Sequence, residues 1–162
     1  MAKTVFAVRL AWAERYDGNS ELNGVKPPNS YGEASAFVAN EKGWVQCGVG
    51  KGRVGGSAHR QIQAGGVDFL LVAKNPDTKQ WEAVGVYQQA SIQMTFYEND
   101  KGNCIRWAQA RAPITSTIEL LGENRIPIGG PPGGTAMRAY IMESGEILDR
   151  SLYAYYQSIC EA

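Results

Sequence analysis

Histidine and cysteine are scarce in this chain of 162 residues. His59 is the single histidine, which weakens any metal or Ser-His-Asp proposal. The three cysteines, Cys47, Cys104 and Cys160, are odd in number, far apart and without a CxxC spacing. They argue against a disulfide framework or a zinc site, and for a reducing, cytoplasmic setting. Net charge is also missing, because 16 Lys and Arg balance 16 Asp and Glu. A nucleic-acid role would need a local basic face, since the field of the whole chain gives no help. No apolar run reaches the ~18 residues that a membrane span requires. Arg9 and Glu14 interrupt the stretch where a secretory signal needs apolar residues, so neither export nor a membrane partner is expected.

What is present is a globular composition. Hydrophobic residues make up 44% and charged residues 20%, enough apolar material for one packed domain over residues 1–162. "TVFAVRL" (4–10) reads as a strand, and residues 17–33 as a loop rich in turn dipeptides. "ASAFVAN" (34–40) and "GWVQCGV" (43–49) read as two strands of a hairpin. "SAHRQIQAGG" offers one or two helical turns before Gly65 and Gly66 stop them. "VDFLLVA" is a buried strand, and "WEAVGVYQQASI" is another, expected to bend at Gly85. "IQMTFYE" continues it or pairs beside it; "NCIRWAQA" and "AMRAYIME" are further strands. "TSTIELLG" reads as a short helix or turn and "ENRIPIGGPPGGT" as an irregular loop. The helix candidate is "SGEILDRSLYAYYQSI", with Ser144 as its cap and Leu148, Leu152, Tyr155 and Ile159 on one face. Many short strands with few helices predict an α+β, mostly β barrel.

The segment "GVGKGRVGGS" (48–57) contains a literal G-x-G-x-x-G. A dinucleotide fingerprint also needs a full crossover helix and an acidic residue ending the next strand. Only about eight residues, Ser57 to Ala64, could be helical before Gly65, against the dozen or more that a parallel crossover takes. Asp68, the nearest acid, would begin the next strand rather than end it. Two readings remain: solvated surface, or a Gly-rich path that lets a phosphate backbone approach Lys51, Arg53, His59 and Arg60. No acidic residue lies between Glu41 and Asp68.

Four segments together resemble PUA-like modules of the EVE/YTH type, in the versions found as N-terminal domains of HNH-type, modification-dependent restriction endonucleases. They are "VFAVRLAWAERYDG" (5–18), Trp44 to Gly66, "VDFLLVAKNPDTKQWEAVGVYQQASI" (67–92) and "IELLGENRIPIGGPPGGTAMRAY" (118–140). The order of a tryptophan, a basic stretch, a Gly/Asp turn, an apolar strand and a V-G strand echoes the EVE centre. Here the Gly-Asp is interrupted, as Gly66-Val67-Asp68, and residues 19–32 have no counterpart.

The resemblance implies a PUA-like barrel with a few short helices and a C-terminal helix. It implies a reader of modified double-stranded DNA that flips one base into an aromatic pocket, with methylated or hydroxymethylated cytosine as the expected target. The HNH signature is absent, so the nuclease domain is expected elsewhere in a larger protein or in a partner chain. The alternative is an RNA-binding or small-molecule-acting PUA-like protein, including an enzyme. No cofactor or metal is expected.

Candidate pocket residues follow. Trp44 matches the EVE tryptophan region; its bland reading is a hairpin core residue. Tyr31 lies in a polar loop, an unusual place for a packing ring. Tyr87, in "VGVYQQAS", lies on a strand that lines the pocket in related folds, and Ser91 offers a hydrogen bond to a base edge. Trp12 follows the first strand and suits core or pocket equally. Trp81 and Trp107 read as hairpin and packing residues. Glu119, Glu123 and Asp149 have no spacing that suggests acid/base work. Cys47 reads as a buried strand thiol.

Overall fold

The computed structural model describes residues 4–21, 24, 35–50, 66–98, 101–102, 104–129, 139–143 and 150–161. The chain order is β1 (Thr4–Leu10), β2 (Trp44–Gly50), β3 (Val67–Lys74), β4 (Trp81–Glu98), β5 (Cys104–Pro113), β6 (Thr117–Glu119), β7 (Ile126–Gly129), β8 (Ala139–Glu143) and α1 (Arg150–Cys160). The fold is α+β and mostly β. The eight strands of the described residues join one mixed sheet in the order β2-β5-β4-β3-β1-β8, with β6 and β7 also on β4. Among the described residues β2 and β8 are not neighbours, so the path of pairing is open.

β4 organises the sheet. It is 18 residues long and serves two sets of partners. Its first half pairs antiparallel with β3 on one side and with β6 and β7 on the other. Its second half, from Ser91 to Glu98, pairs with β5, which carries β2 on its far edge. Between the halves, Gln89 takes a positive φ of 52° and the β3–β4 register shifts. The backbone N–H of Gln89 donates to Asp68 Oδ1 over 3.1 Å, which fixes the corner.

Among the described residues β1 and β3 are the one parallel pair, with Ala7 opposite Leu70 and Leu10 opposite Ala73. Alternation splits their side chains between two cores. Val8, Leu10, Phe69, Leu71 and Ala73 join Val45, Cys47, Ala110 and Ala112 on one face. Val5, Ala7, Leu70 and Val72 join Tyr156 and Ile159 of α1 on the other. β3 is buried on both faces, which is why "FLLVA" is an unbroken apolar run. Tyr156 ties the helix down by donating its hydroxyl to Asp68 Oδ2, and Asp68 is fully buried.

Several expectations are corrected. "ASAFVAN" is not a strand: Ser35–Phe37 forms a tight turn and residues 38–40 are irregular. Ala36 and Phe37 pack into the core instead, while Val38 is exposed. Ala36 is fully buried, its carbonyl accepts from the Tyr87 hydroxyl, and Phe37 N–H donates to Tyr16 O over 3.3 Å. "IQMTFYE" continues the preceding strand as the second half of β4, the first of the two arrangements expected. "TSTIELLG" is a tight turn at Ile114–Ser116 followed by β6, and "RIPIG" supplies β7 from a segment expected to be loop. Gly85 lies beside a register shift between β3 and β4. A Cβ there would lie 2.3 Å from Phe37 Cζ and 2.6 Å from the Ile118 carbonyl oxygen, so the glycine admits close packing. The dinucleotide reading is closed by topology, because β2 and β3 are not adjacent and form no parallel unit. The helical turns at 57–64 and the cap Ser144 lie outside the described residues.

Candidate functional site

Parallel pairing brings the C-terminal ends of β1 and β3 to the same rim of the sheet. A cavity of about 380 Å³ opens there, lined by Arg9, Leu10, Ala11, Trp12, Lys74, Pro76, Lys79 and Trp81. That volume lies in the range of roughly 300–1,000 Å³ typical of small-ligand sites. Two rings approach from different cores: Trp12 packs against the first, Trp81 against the second. Three cations join them, and no carboxylate is among the described lining residues.

Local structure holds each part. Lys74 stands directly opposite Trp81 where β3 and β4 meet. The turn between them is built by Asn75, whose Oδ1 accepts from Asp77 N–H at 2.9 Å and whose carbonyl accepts from Lys79 N–H at 2.9 Å. Lys79 pays a backbone cost for its place, with φ at +62°. Glu82, next to Trp81 in the chain, accepts from Asn75 Nδ2 at 2.8 Å. Arg9 is only 4% exposed, and its guanidinium carbon lies 5.0 Å from the Trp81 ring centroid.

Trp12 is held by Arg125, a residue 5% exposed. The Arg125 guanidinium lies 4.6 Å from the Trp12 centroid and 5.7 Å from that of Tyr16. Its Nη2 donates to Glu14 O and its Nε to Leu120 O, both at 3.0 Å. The Tyr16 hydroxyl donates to Ala11 O over 2.7 Å, and Tyr16 N–H donates to Glu119 Oε2 over 3.2 Å. Segment 11–16 is therefore pinned although it has no regular structure.

The expected pocket residues separate. Trp12 lines the cavity. Trp44 lies instead at the start of β2, where Asn40 Oδ1 accepts its N–H at 3.0 Å and the Arg111 guanidinium stacks 4.5 Å from its ring centroid. Its chain neighbour Val45 points into the core, so Trp44 faces outward. Ser91 is half-buried and stands opposite Arg111, which stands opposite Gln46, so the three form a row across β4, β5 and β2. Tyr87 is fully buried, edge-on to Phe37 with ring centroids 5.6 Å apart. It is a core ring here and presents no face to a base. Burial, with the neighbouring Cys47 thiol next in weight, raises its hydroxyl pKa well above the tyrosine value. Tyr31, Lys51, Arg53, His59 and Arg60 lie outside the described residues.

Sequence reasoning missed Arg9, Lys74, Lys79, Trp81 and Arg125. One signal was available: an arginine inside the apolar strand "TVFAVRL" must either be buried with a purpose or disrupt the strand. Lys74, Lys79 and Trp81 frame the turn "NPDT", but nothing local says that residues 9–12 meet them.

Among the described residues no group of His, Cys, Asp and Glu is placed to hold a metal, and no helix is long and apolar enough to cross a membrane. Comparison with known proteins finds no matching family model, no similar curated protein and no similar solved structure.

Proposed function

We propose that this chain is a PUA-like reading module that takes one modified base of double-stranded DNA out of the stack and holds it between Trp12 and Trp81. In this reading it binds rather than catalyses, and it directs a nuclease domain in the same or a partner chain. The observation that carries the proposal is the cavity itself: two indole rings and three cations converge on a concave site with no carboxylate among its described lining residues. Stacking of a base on an aromatic ring is worth ~1–3 kcal/mol, against an unstacking cost of a few kcal/mol. These nearly cancel, so phosphate contacts must supply the net affinity. Lys51, Arg53, His59 and Arg60 are the proposed source. They follow β2, whose end pairs with the far half of β5, whereas the cavity lies at the start of β4. The PUA-like barrel is part of the same proposal, and the mostly β sheet with its C-terminal helix supports it at the level of class.

The test is an electrophoretic shift with short duplexes that differ only in one cytosine, plain, methylated or hydroxymethylated. Tighter binding of a modified duplex supports the reading. Equal binding of all duplexes, preference for the matching RNA, or no shift at all overturns it.

A further inference from the structure

The two lysines of the cavity differ in setting from its arginine. Arg9 is buried, whereas Lys74 and Lys79 line the site from its exposed rim. Lys74 ends β3 directly opposite Trp81, and residues paired in this way project from the same face of a sheet. Its apolar stem starts beside the indole and its ammonium reaches water. Lys79 closes the turn from the other side with φ at +62°, a conformation that glycine adopts without cost. Its side chain is exposed, so no packing offsets that strain. Among the described residues neither ammonium is bridged to a carboxylate, that of Asp77 in the same turn included. The turn's own carbonyls are engaged elsewhere: Asn75 O accepts from Lys79 N–H at 2.9 Å and Gln80 O from Asn75 N–H at 2.8 Å.

We infer that Lys74 and Lys79 together hold a phosphate that flanks the extruded nucleotide, so that the cavity recognises a nucleotide rather than a bare base. This inference rests on the reading that the cavity receives a base. A base that leaves the stack enters its pocket ring first, and its sugar and phosphates stay at the mouth. An ammonium on a flexible stem is a compact point charge with three donors, and two of them can close on one phosphate from the two ends of the turn. The contact does not involve the base edge, so it serves a cytosine with any substituent. It is separate in sequence from Lys51, Arg53, His59 and Arg60, the proposed source of the other phosphate contacts. The strained Lys79 thereby gains a role that its backbone and packing do not supply.

The experiment uses a duplex with one 5-methylcytosine or 5-hydroxymethylcytosine, whichever binds tighter, and replaces one phosphate at a time by an uncharged methylphosphonate. The phosphates on either side of the modified nucleotide are compared with a remote one, by fluorescence anisotropy. At one flanking position the replacement should weaken wild-type binding roughly tenfold or more, the worth of a hydrogen bond to a charged group, and at the remote position by less. In Lys74→Met/Lys79→Met the duplex should bind more weakly, the same replacement should cost nothing further, and the preference for the modified duplex should remain. Lys74→Arg/Lys79→Arg, which keeps both charges, should keep the loss on replacement. Both variants should keep the wild-type melting temperature, because both side chains are exposed. A flanking replacement that leaves wild type unaffected, or that weakens the Met variant as much as wild type, overturns the phosphate contact; a preserved preference for the modified duplex then leaves the base reading standing. Equal binding of modified and plain duplexes by wild type removes the base reading and the phosphate contact with it.

Discussion

Trp12 and Trp44 each carry an arginine on their ring at nearly the same distance, 4.6 Å for Arg125 and 4.5 Å for Arg111. The surroundings differ. Arg125 is 5% exposed and donates to two backbone carbonyls from segments far apart in sequence. Arg111 is half-buried on the outer face of the sheet, in a row with Gln46 and Ser91. Trp12 borders a concave site; Trp44 lies on an open strand face. A stacked arginine therefore marks no site by itself. Concavity, a second ring and converging donors distinguish the rim of β1 and β3 from the face of β2.

The comparison breaks first at the arginines. Arg125→Met removes the bonds to Glu14 O and Leu120 O and frees the Trp12 segment. We expect a stability loss of ~1.5–3 kcal/mol by chemical denaturation, the range for bonds to charged groups. Arg111→Met should cost no more than about 1 kcal/mol, as suits a more exposed cation–π pair. Equal losses would erase the distinction.

Binding gives the next contrast. Trp12→Ala should lower affinity for the preferred duplex by ~1–3 kcal/mol, about five- to a hundredfold or more, in a fluorescence anisotropy titration. Trp44→Ala should leave the preference between modified and plain duplexes intact. A loss of preference in Trp44→Ala with none in Trp12→Ala would move the site to the β2 face.

Lys79 sharpens the picture at one residue. Its left-handed backbone is unfavourable for any side chain but costs glycine nothing. Lys79→Gly should stabilise the chain by on the order of 1 kcal/mol while weakening ligand binding. A gain in both would mean that the ammonium has no part in the site.

Tyr87 separates core from pocket with the smallest change. Tyr87→Phe loses the bond to Ala36 O, for ~0.5–1.5 kcal/mol, with no change in binding. The pH dependence has a definite sign. Burial raises the pKa of Tyr87, and burial with the Asp68 hydrogen bond raises that of Tyr156. Both stay protonated in the folded chain when the unfolded chain ionises near pH ~10. Their contribution is complete below that pH and is lost as pH rises above it. Melting curves should fall in alkali, and less steeply in Tyr87→Phe or Tyr156→Phe.

How much of this was legible follows from which residues carry it. β1, β3 and the first half of β4 are apolar runs, and their burial on both faces made them visible. α1 showed its face through Tyr155 and Ile159. "ASAFVAN" misled because Ala36 and Phe37 are apolar for tertiary reasons, with no ladder to satisfy. β7 was hidden in "IPIG", four residues between turn signals. The site was least legible. Trp12 was a candidate, but its partners Arg9, Lys74 and Trp81 join it only through the parallel β1–β3 pairing, and that pairing has no local signature. Arg125 was invisible for the same reason: it reaches Glu14 O across 111 positions of sequence.

Base extrusion is the central claim, and 2-aminopurine fluorescence reads it directly. With the probe beside the target base of a modified duplex, wild-type protein at saturating concentration should raise the emission as the neighbour leaves the stack. Trp12→Ala, brought to the same occupancy, should give a much smaller rise. Saturated binding with no rise, or an equal rise in Trp12→Ala, would contradict a base held in the Trp12–Trp81 cavity.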